Sequence, residues 1–159
     1  MSQIRDFLKT TNEGLQLMGM KKPEGWQYQN CYDFILQHGI DFQTPEPFPH
    51  LMEPKQCFFN SITLVSINEE RYVYCEGMCL VIIPIQHAWV WDRWENTVVD
   101  PTLSEPAAEY CGVPFRMSYA KRRMVNNRRY ALIDTFWDDF ELLRDHTIDW
   151  LDSEVAAAM

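Results

Sequence analysis

A block of the chain from residue 71 to residue 100 has the composition of β-strands, and it limits the possible folds more than any other feature. Tyrosines alternate with other residues at its start, β-branched and apolar residues follow, and a hairpin pattern ends at Pro101. The strand segments are Arg71–Glu76, Met78–Ile85, His87–Asp92 and Thr97–Asp100, with a turn at Arg93 and Trp94 between the last two. We therefore predict a central antiparallel sheet.

Helical patterns lie on both sides of this block. Phe58, Ile62 and Val65 recur at a helical spacing and predict a buried helix. Pro54 suits the first position of that helix, where a missing N–H has no cost. The other predicted segments are one or two short helices within 1–19, a helix over 30–37 that ends at Gly39, an irregular approach over 43–54, a helix over 118–127, a short strand over 130–133 and a closing helix over about 136–152. Helices before and after a sheet predict one α+β domain that spans residues 1–159.

The charge balance limits the partners. Fourteen Lys and Arg residues against 23 Asp and Glu residues give a net charge of −9. This sign repels phosphate backbones and anionic lipid, so we expect neither a nucleic-acid nor a membrane partner. The basic residues 121–123 and 128–129 are typical of a solvated helix face, with contact to a polyanion as the alternative.

No targeting segment is evident. The longest apolar run, residues 78–85, is far shorter than a membrane span, and the N-terminus lacks the basic and apolar regions of a secretory signal. The five cysteines are an odd number and do not suggest a disulfide framework. We therefore expect a cytoplasmic protein. Most of its cysteines should be buried thiols, although Cys75, Cys79 and Cys111 with a histidine would make a zinc site if they converged.

Three residues in order along the chain suggest thiol chemistry. Cys57 falls in the first turn of the predicted helix, His87 opens a predicted strand, and Asp100 closes the next one. A helix N-terminus and a nearby imidazolium both favour the reactive thiolate, and a carboxylate orients the imidazole. The alternative for each residue is structural: a buried thiol, a core histidine bonded to a carbonyl, and an aspartate that caps the turn before Pro101.

The predicted hairpin allows a geometric test of this set. A turn centred between Arg93 and Trp94 places His87 directly opposite Asp100, within hydrogen-bonding reach. Asp92 is the competing carboxylate, but it lies five residues from His87 and points to the other face of the strand. The hairpin therefore favours Asp100 as the partner of His87.

The segments His87–Val90 (HAWV) and Val98–Thr102 (VVDPT) resemble the signature of transglutaminase-like domains, which belong to the papain-like thiol enzymes. Arg71–Gly77 resembles the strand and glycine that precede the histidine strand of that family, and Gln56–Phe58 occupies its nucleophile position. The resemblance covers about residues 53–115. It implies a papain-like, transglutaminase-like core, in which N-terminal helices and a nucleophile-bearing helix pack on an antiparallel sheet. By this resemblance Cys57 would be the nucleophile, His87 the general base and Asp100 the orienting acid.

Further side chains are candidates for the same site. Gln56 and Gln86 each adjoin a proposed catalytic residue, and either amide would donate to an oxyanion beside the Cys57 N–H. Trp89 and Trp91 share the His87 face and would either wall an acyl pocket or fill the core. The last two candidates are Glu76, for a cationic substrate group or for a surface role, and Tyr110, for the lining of the cleft.

These features predict a cysteine-dependent amide or acyl hydrolase, or an acyltransferase, that acts through a thioester. A peptidase, a deamidase and a transglutaminase-like enzyme all fit, with a protein or peptide substrate and no metal or organic cofactor. By resemblance, short chains of this kind are encoded by bacteria and their phages. The alternative is a catalytically silent binding or inhibitory protein of the same fold that docks its acidic surface on a partner.

Overall fold

Antiparallel strands and helices make up the described part of the chain, which comprises residues 2–126, 131–133, 140–145 and 149–158 of the computed structural model. The strands are β1 (Ile40–Phe42), β2 (Tyr72–Leu80), β3 (Pro84–Asp92), β4 (Thr97–Val99) and β5 (Glu109–Phe115). They form one sheet in the order β1-β5-β2-β3-β4 with antiparallel pairing throughout. The helices are α1 (Gln3–Leu17), α2 (Cys31–His38), α3 (Cys57–Ile67), α4 (Met117–Ala120), which continues as a π-helical segment (Lys121–Asn126), α5 (Glu141–Arg144) and α6 (Ser153–Ala158). The predicted α+β class is confirmed.

The sheet separates two apolar clusters. Its helical face packs against α1, α2 and α3, with Ile4, Phe34 and Val65 among the fully buried side chains. The opposite face carries Trp89 and its aromatic neighbours, and Val155 of α6 packs there. Because strand residues alternate between faces, His87 and Trp89 share the second face while Gln86 and Ala88 point to the helical one.

The early helices follow their local sequence signals. Asn30 is the N-cap of α2, since its side chain accepts a hydrogen bond from the Asp33 N–H at 2.9 Å, and Gly39 follows the last residue. Helix α3, however, begins at Cys57 rather than at Pro54. Lys55 lies in the left-handed region with φ of 64°, so the helix cannot extend back through it. Cys57 is thus in the first turn, as predicted, and it is the first helical residue.

The apolar run over residues 78–85 is not one strand. Strand β2 ends at Leu80 and pairs with Pro84 at the start of β3, so Val81, Ile82 and Ile83 form the connecting turn. Pro84 lacks an N–H and takes the first position of the strand, where that loss is tolerated. Strand β2 also continues through Gly77 without the expected break. Apolar composition predicted strand here because it does not reveal where a chain reverses.

The C-terminal predictions are partly wrong. The helix over 118–127 is confirmed up to Asn126, and residue 127 lies outside the described residues. Residues 131–133 form no strand, and Tyr130 lies outside the described residues. A closing helix was predicted over about 136–152, but the described residues of that range are helical only in α5. The short helix α6 follows after the predicted range. No helix in the described ranges has the length and apolar character that a membrane crossing requires.

Candidate active site

His87 and Asp100 form a buried hydrogen-bonded pair at the end of the sheet where β4 stops. His87 Nε2 lies 2.7 Å from Asp100 Oδ2, and the two residues are 2% and 1% exposed. Asp92, the rejected candidate, instead accepts a hydrogen bond from Arg71 Nε at 2.8 Å. The preference for Asp100 over Asp92 is confirmed.

The predicted register of the hairpin is wrong by two residues. Trp91 pairs with Val98, so the turn is centred between Trp94 and Glu95 and Asp100 is displaced toward Trp89. Asp92 causes the longer turn, because its Oδ1 accepts hydrogen bonds from the N–H groups of Trp94 and Glu95 at 3.0 and 3.2 Å. A shift of two residues keeps every side chain on its face, so Asp100 reaches His87 as a diagonal rather than a direct neighbour.

Asp100 also caps the turn that follows it. Its Oδ1 accepts hydrogen bonds from the N–H groups of Thr102 and Leu103 at 2.9 and 3.1 Å, and its Oδ2 binds His87 and the hydroxyl of Tyr110. Burial alone would raise the pKa of Asp100, but the hydrogen bond and charge of His87, together with the two N–H groups, lower it. Asp100 therefore caps the turn with Oδ1 and binds His87 with Oδ2, so neither role excludes the other.

Cys57 interacts with the His87 ring from the first position of α3. The thiol is half-buried. Burial would lower the pKa of His87, but hydrogen bonds with Asp100 and Cys57 and the charges of both groups raise it to about 9. An ionised Asp100 accepts only, so Nε2 carries the hydrogen of that bond and Nδ1 is the ring nitrogen left for Cys57. The three predicted residues therefore meet in one place, with the imidazole between thiol and carboxylate.

Asn60 fixes the start of α3 against the Asp100 loop, and sequence reasoning missed it. Its Nδ2 donates to the Glu53 carbonyl at 2.7 Å and lies 2.9 Å from Thr102 Oγ1, while Asn60 itself is 1% exposed. The Met52 N–H also donates to the Pro101 carbonyl at 2.8 Å. An amide side chain in a helix whose other polar residues are only Ser and Thr, three residues after the cysteine, was the available signal. Its effect is to hold Cys57 and Asp100 on either side of His87.

Aromatic side chains lie beneath the pair. Trp89 is fully buried and lies 6.4 Å from the His87 ring in a stacked arrangement, and Tyr110 lies 5.2 Å from Trp89. Trp91 is 5% exposed and contacts Phe42. Trp89 and Trp91 thus fill the core, and Tyr110 supports Asp100 from below instead of lining a cleft.

Glu76 is not a surface or substrate-binding residue. It is fully buried on the helical face and accepts hydrogen bonds from the N–H groups of Leu132 and Ile133 at 2.8 and 3.0 Å and from Tyr74 at 2.9 Å. Gln86 Nε2 lies 3.4 Å from the same carboxylate, on the face opposite His87. These contacts hold residues 131–133 on the sheet and occupy both side chains, which overturns the substrate role of Glu76 and directs the Gln86 amide away from His87.

Gln56 directly precedes Cys57 at the start of α3. It is the N-cap of α3, is exposed, and makes no side-chain hydrogen bond to the helix. With Lys55, Phe58 and Phe59 it lines a surface cavity of about 200 Å³. The Asn60 N–H donates to the Gln56 carbonyl at 2.8 Å, which is the first hydrogen bond within α3. The N–H groups before it, including that of Cys57, therefore have no partner within the helix.

The other cysteines do not form a metal centre. Cys75 and Cys79 lie on the Trp89 face of the sheet, whereas Cys111 lies on the helical face. Convergence of the three around zinc is therefore ruled out. Across the part of the chain that the structure describes, no group of three or more His, Cys, Asp or Glu residues is placed to hold a metal ion.

The described residues of the basic cluster pair with acids. Lys121 forms an ion pair with Glu69, and Arg122 and Arg123 both pair with Glu141. Residues 128–129 lie outside the described residues. Lys121 and Arg122 are exposed, as predicted for a solvated helix face, whereas Arg123 is 8% exposed and its guanidinium is buried beside Glu141.

Comparisons with protein-family models, with curated proteins and with solved structures gave no match to this chain.

Proposed function

We propose that this protein is a thiol enzyme of the transglutaminase-like class that transfers acyl groups from amides or esters through Cys57. The observation that carries the proposal is the position of His87, which binds the buried carboxylate of Asp100 at 2.7 Å through Nε2 and interacts with Cys57 as well. A thiol, an imidazole and an orienting carboxylate in this order are the parts that a cysteine nucleophile requires. The fold supports the same class, since a helix carries the cysteine and an antiparallel sheet carries the histidine.

The first half of the reaction forms a thioester. The Cys57 thiol gives its proton to His87, and the thiolate attacks the acyl carbonyl carbon. We assign the Cys57 N–H and the Gln56 amide as the donors for the oxyanion that develops. The imidazolium then gives its proton to the departing amine or alcohol as the carbon–nitrogen or carbon–oxygen bond breaks.

The second half releases the acyl group. Water or an amine attacks the thioester, His87 takes the proton of the attacking group, and the thiol leaves with that proton. Water gives a carboxylic acid and an amine gives a new amide, so hydrolysis and acyl transfer differ only in the acceptor. A peptide or protein chain suits the site as a substrate, because Cys57 is half-buried and its neighbours Gln56 and Phe58 line an exposed cavity rather than a deep one. None of the five cysteines, all of which lie in the described ranges, forms a disulfide, which supports action in a reducing compartment.

The pH dependence of iodoacetamide labelling tests this proposal, with each cysteine read separately by mass spectrometry. We expect Cys57 to label rapidly well below pH 8 in the wild type and to label slowly in His87→Ala. Cys31 is the internal control, because it is half-buried like Cys57 and its labelling should not depend on His87.

Equal labelling of Cys57 and Cys31, or no effect of His87→Ala, would overturn the enzyme assignment. The chain would then be a binding protein that retains the fold without turnover, and a search for a protein partner of the acidic surface would follow. Rapid labelling that depends on His87 would justify a screen of amide and ester substrates with water and with primary amines as acceptors.

A further inference from the structure

We propose that Tyr110 is a positioning residue of this site, whose hydroxyl shares the Asp100 oxygen that His87 binds and so moderates the charge that Asp100 presents to the imidazole. The catalytic role of Tyr110 rests on the proposed function, whereas its hydrogen bond to Asp100 and its effect on His87 do not. Tyr110 extends the set of Cys57, His87 and Asp100 by a fourth member on β5.

The hydrogen bonds of the Tyr110 hydroxyl have a defined direction. Tyr110 Oη donates to Asp100 Oδ2 at 2.9 Å, and it accepts a hydrogen bond from the Ala107 N–H at 3.0 Å. Because the N–H of Ala107 occupies the acceptor side of the hydroxyl, the hydroxyl hydrogen is directed to Asp100. An ionised carboxylate can only accept, so the two bonds agree in direction.

Tyr110 and His87 share one oxygen of the carboxylate. Asp100 Oδ2 lies 2.7 Å from His87 Nε2 and 2.9 Å from Tyr110 Oη, whereas Oδ1 is taken by backbone N–H groups. The two N–H groups hold Oδ1, so Oδ2 is the oxygen that remains for both side chains. Tyr110 therefore shares with His87 the oxygen to which His87 donates.

The ring of Tyr110 is held independently of its hydroxyl. Tyr110 is 1% exposed, packs at 5.2 Å against Trp89 in an edge arrangement, and pairs across the sheet with Phe42. A phenylalanine at this position would keep these contacts and lose only the hydroxyl. Substitution therefore separates the hydrogen bond from the packing.

Few other ionisable groups face the pair within the described residues. Cys57 approaches from α3 and Cys79 from β2. Burial and the charge of Asp100 raise the pKa of both Cys79 and Tyr110, so both stay neutral while His87 titrates. Asp100 is thus the permanent negative charge beside the imidazole, and Tyr110 is the neutral donor that shares it.

The test is the titration of His87 by NMR in Cys57→Ala protein, with and without Tyr110→Phe. Removal of the thiol leaves a single ionisation to follow. Loss of one donor makes the Asp100 carboxylate more basic, which stabilises the imidazolium, and the pKa of His87 should rise by about half a pH unit. Tyr119→Phe is the matched control, because it removes a buried hydroxyl from the other face of the sheet. An unchanged or lowered pKa in Tyr110→Phe would overturn the proposal.

A double-mutant cycle shows whether Tyr110 acts through Asp100. In the Asp100→Asn background, Tyr110→Phe should leave the pKa of His87 unchanged, since the charge that the hydroxyl shares is gone. An equal shift in both backgrounds would contradict action through the carboxylate. A purely structural role for Tyr110 predicts lower stability in urea and no change in the His87 titration.

A measurement on the Tyr110 hydroxyl proton covers the case in which Tyr110→Phe does not fold. In wild-type protein this proton should shift as His87 titrates, because both groups donate to one oxygen, and a proton that does not move would overturn the proposal. Neither experiment uses turnover or labelling. Slow, His87-independent labelling of Cys57 would therefore overturn the enzyme while leaving the Tyr110 result to stand on its own.

Discussion

Gly77 and Gly112 lie directly opposite each other on β2 and β5, and on its other side Gly77 is opposite His87 of β3. A Cβ on Gly77 would lie 2.3 Å from the Cys111 carbonyl oxygen, and one on Gly112 would lie 2.5 Å from that of Glu76 and 2.6 Å from the Trp89 ring. The two glycines thus let the strands approach closely, and the indole of Trp89 occupies the space beside His87 that a side chain at Gly112 would fill.

Gly112→Ala should destabilise the protein by about 2 kcal/mol or more, because its methyl group meets backbone and a buried indole that cannot move aside. Gly14→Ala is the matched control. Gly14 lies within α1, where an added methyl group would meet no atom within 4 Å, so alanine there should stabilise by roughly 0.5–1 kcal/mol. Urea unfolding measures both effects, and equal stabilities of the two variants would contradict the close approach.

Asp100→Asn should slow the labelling of Cys57 by iodoacetamide at neutral pH by roughly tenfold or more. The hydrogen bond and the charge of Asp100 raise the pKa of His87, and each unit of pKa lost weakens the imidazolium that favours the thiolate by a factor of about ten. Asp92→Asn serves as the control, because Asp92 lies at the far end of β3 and binds Arg71. Similar labelling rates in the two variants would count against an orienting role for Asp100.

The unfolding free energy should fall with rising pH across the titration of His87. The pKa of this group is raised from 6.5 to about 9 in the folded chain. Its stabilising contribution, roughly 3 kcal/mol, is therefore complete below pH 6.5 and is lost as the pH rises through about 9. The difference in stability between wild type and His87→Gln should shrink over this range in urea unfolding, and a constant difference would refute the prediction.

Glu76→Gln should destabilise the protein by about 1–3 kcal/mol, even though Gln has nearly the same shape. Glu76 accepts four hydrogen bonds with two oxygens, and a glutamine amide offers one oxygen, so a buried N–H of Leu132 or Ile133 loses its partner. Glu46→Gln, at an exposed position, should have no effect beyond a few tenths of a kcal/mol. Burial raises the pKa of Glu76 to about 7, so urea unfolding at pH 8 to 9, where the carboxylate is ionised, compares the two variants.

Much of the candidate site could be predicted because its determinants are local. The side-chain period of a strand put Asp92 and His87 on different faces, and that conclusion survived a register error of two residues. The first turn of α3 could be placed from its apolar spacing to within three residues, since Lys55 blocks only the residues before Cys57.

The roles of Glu76 and Asn60 could not be predicted, because the partners that define these roles are distant in sequence. Glu76 binds residues 56 and 57 positions further along the chain, and Asn60 binds Thr102. A carboxylate beside a glycine has the same sequence signal whether it faces water or a buried backbone. Only the packing of the later segment on the sheet decides between the two.

By itself, the sequence determined the α+β class, the antiparallel strands, the order of Cys57, His87 and Asp100, and the shared face of the last two, because hydrophobic period and turn residues act over a few positions. The tertiary structure decided which groups surround that set. It placed Tyr110 on Asp100 and buried Glu76 on the other side of the sheet, since a polar side chain inside a protein must take whatever donors and acceptors the fold brings within reach.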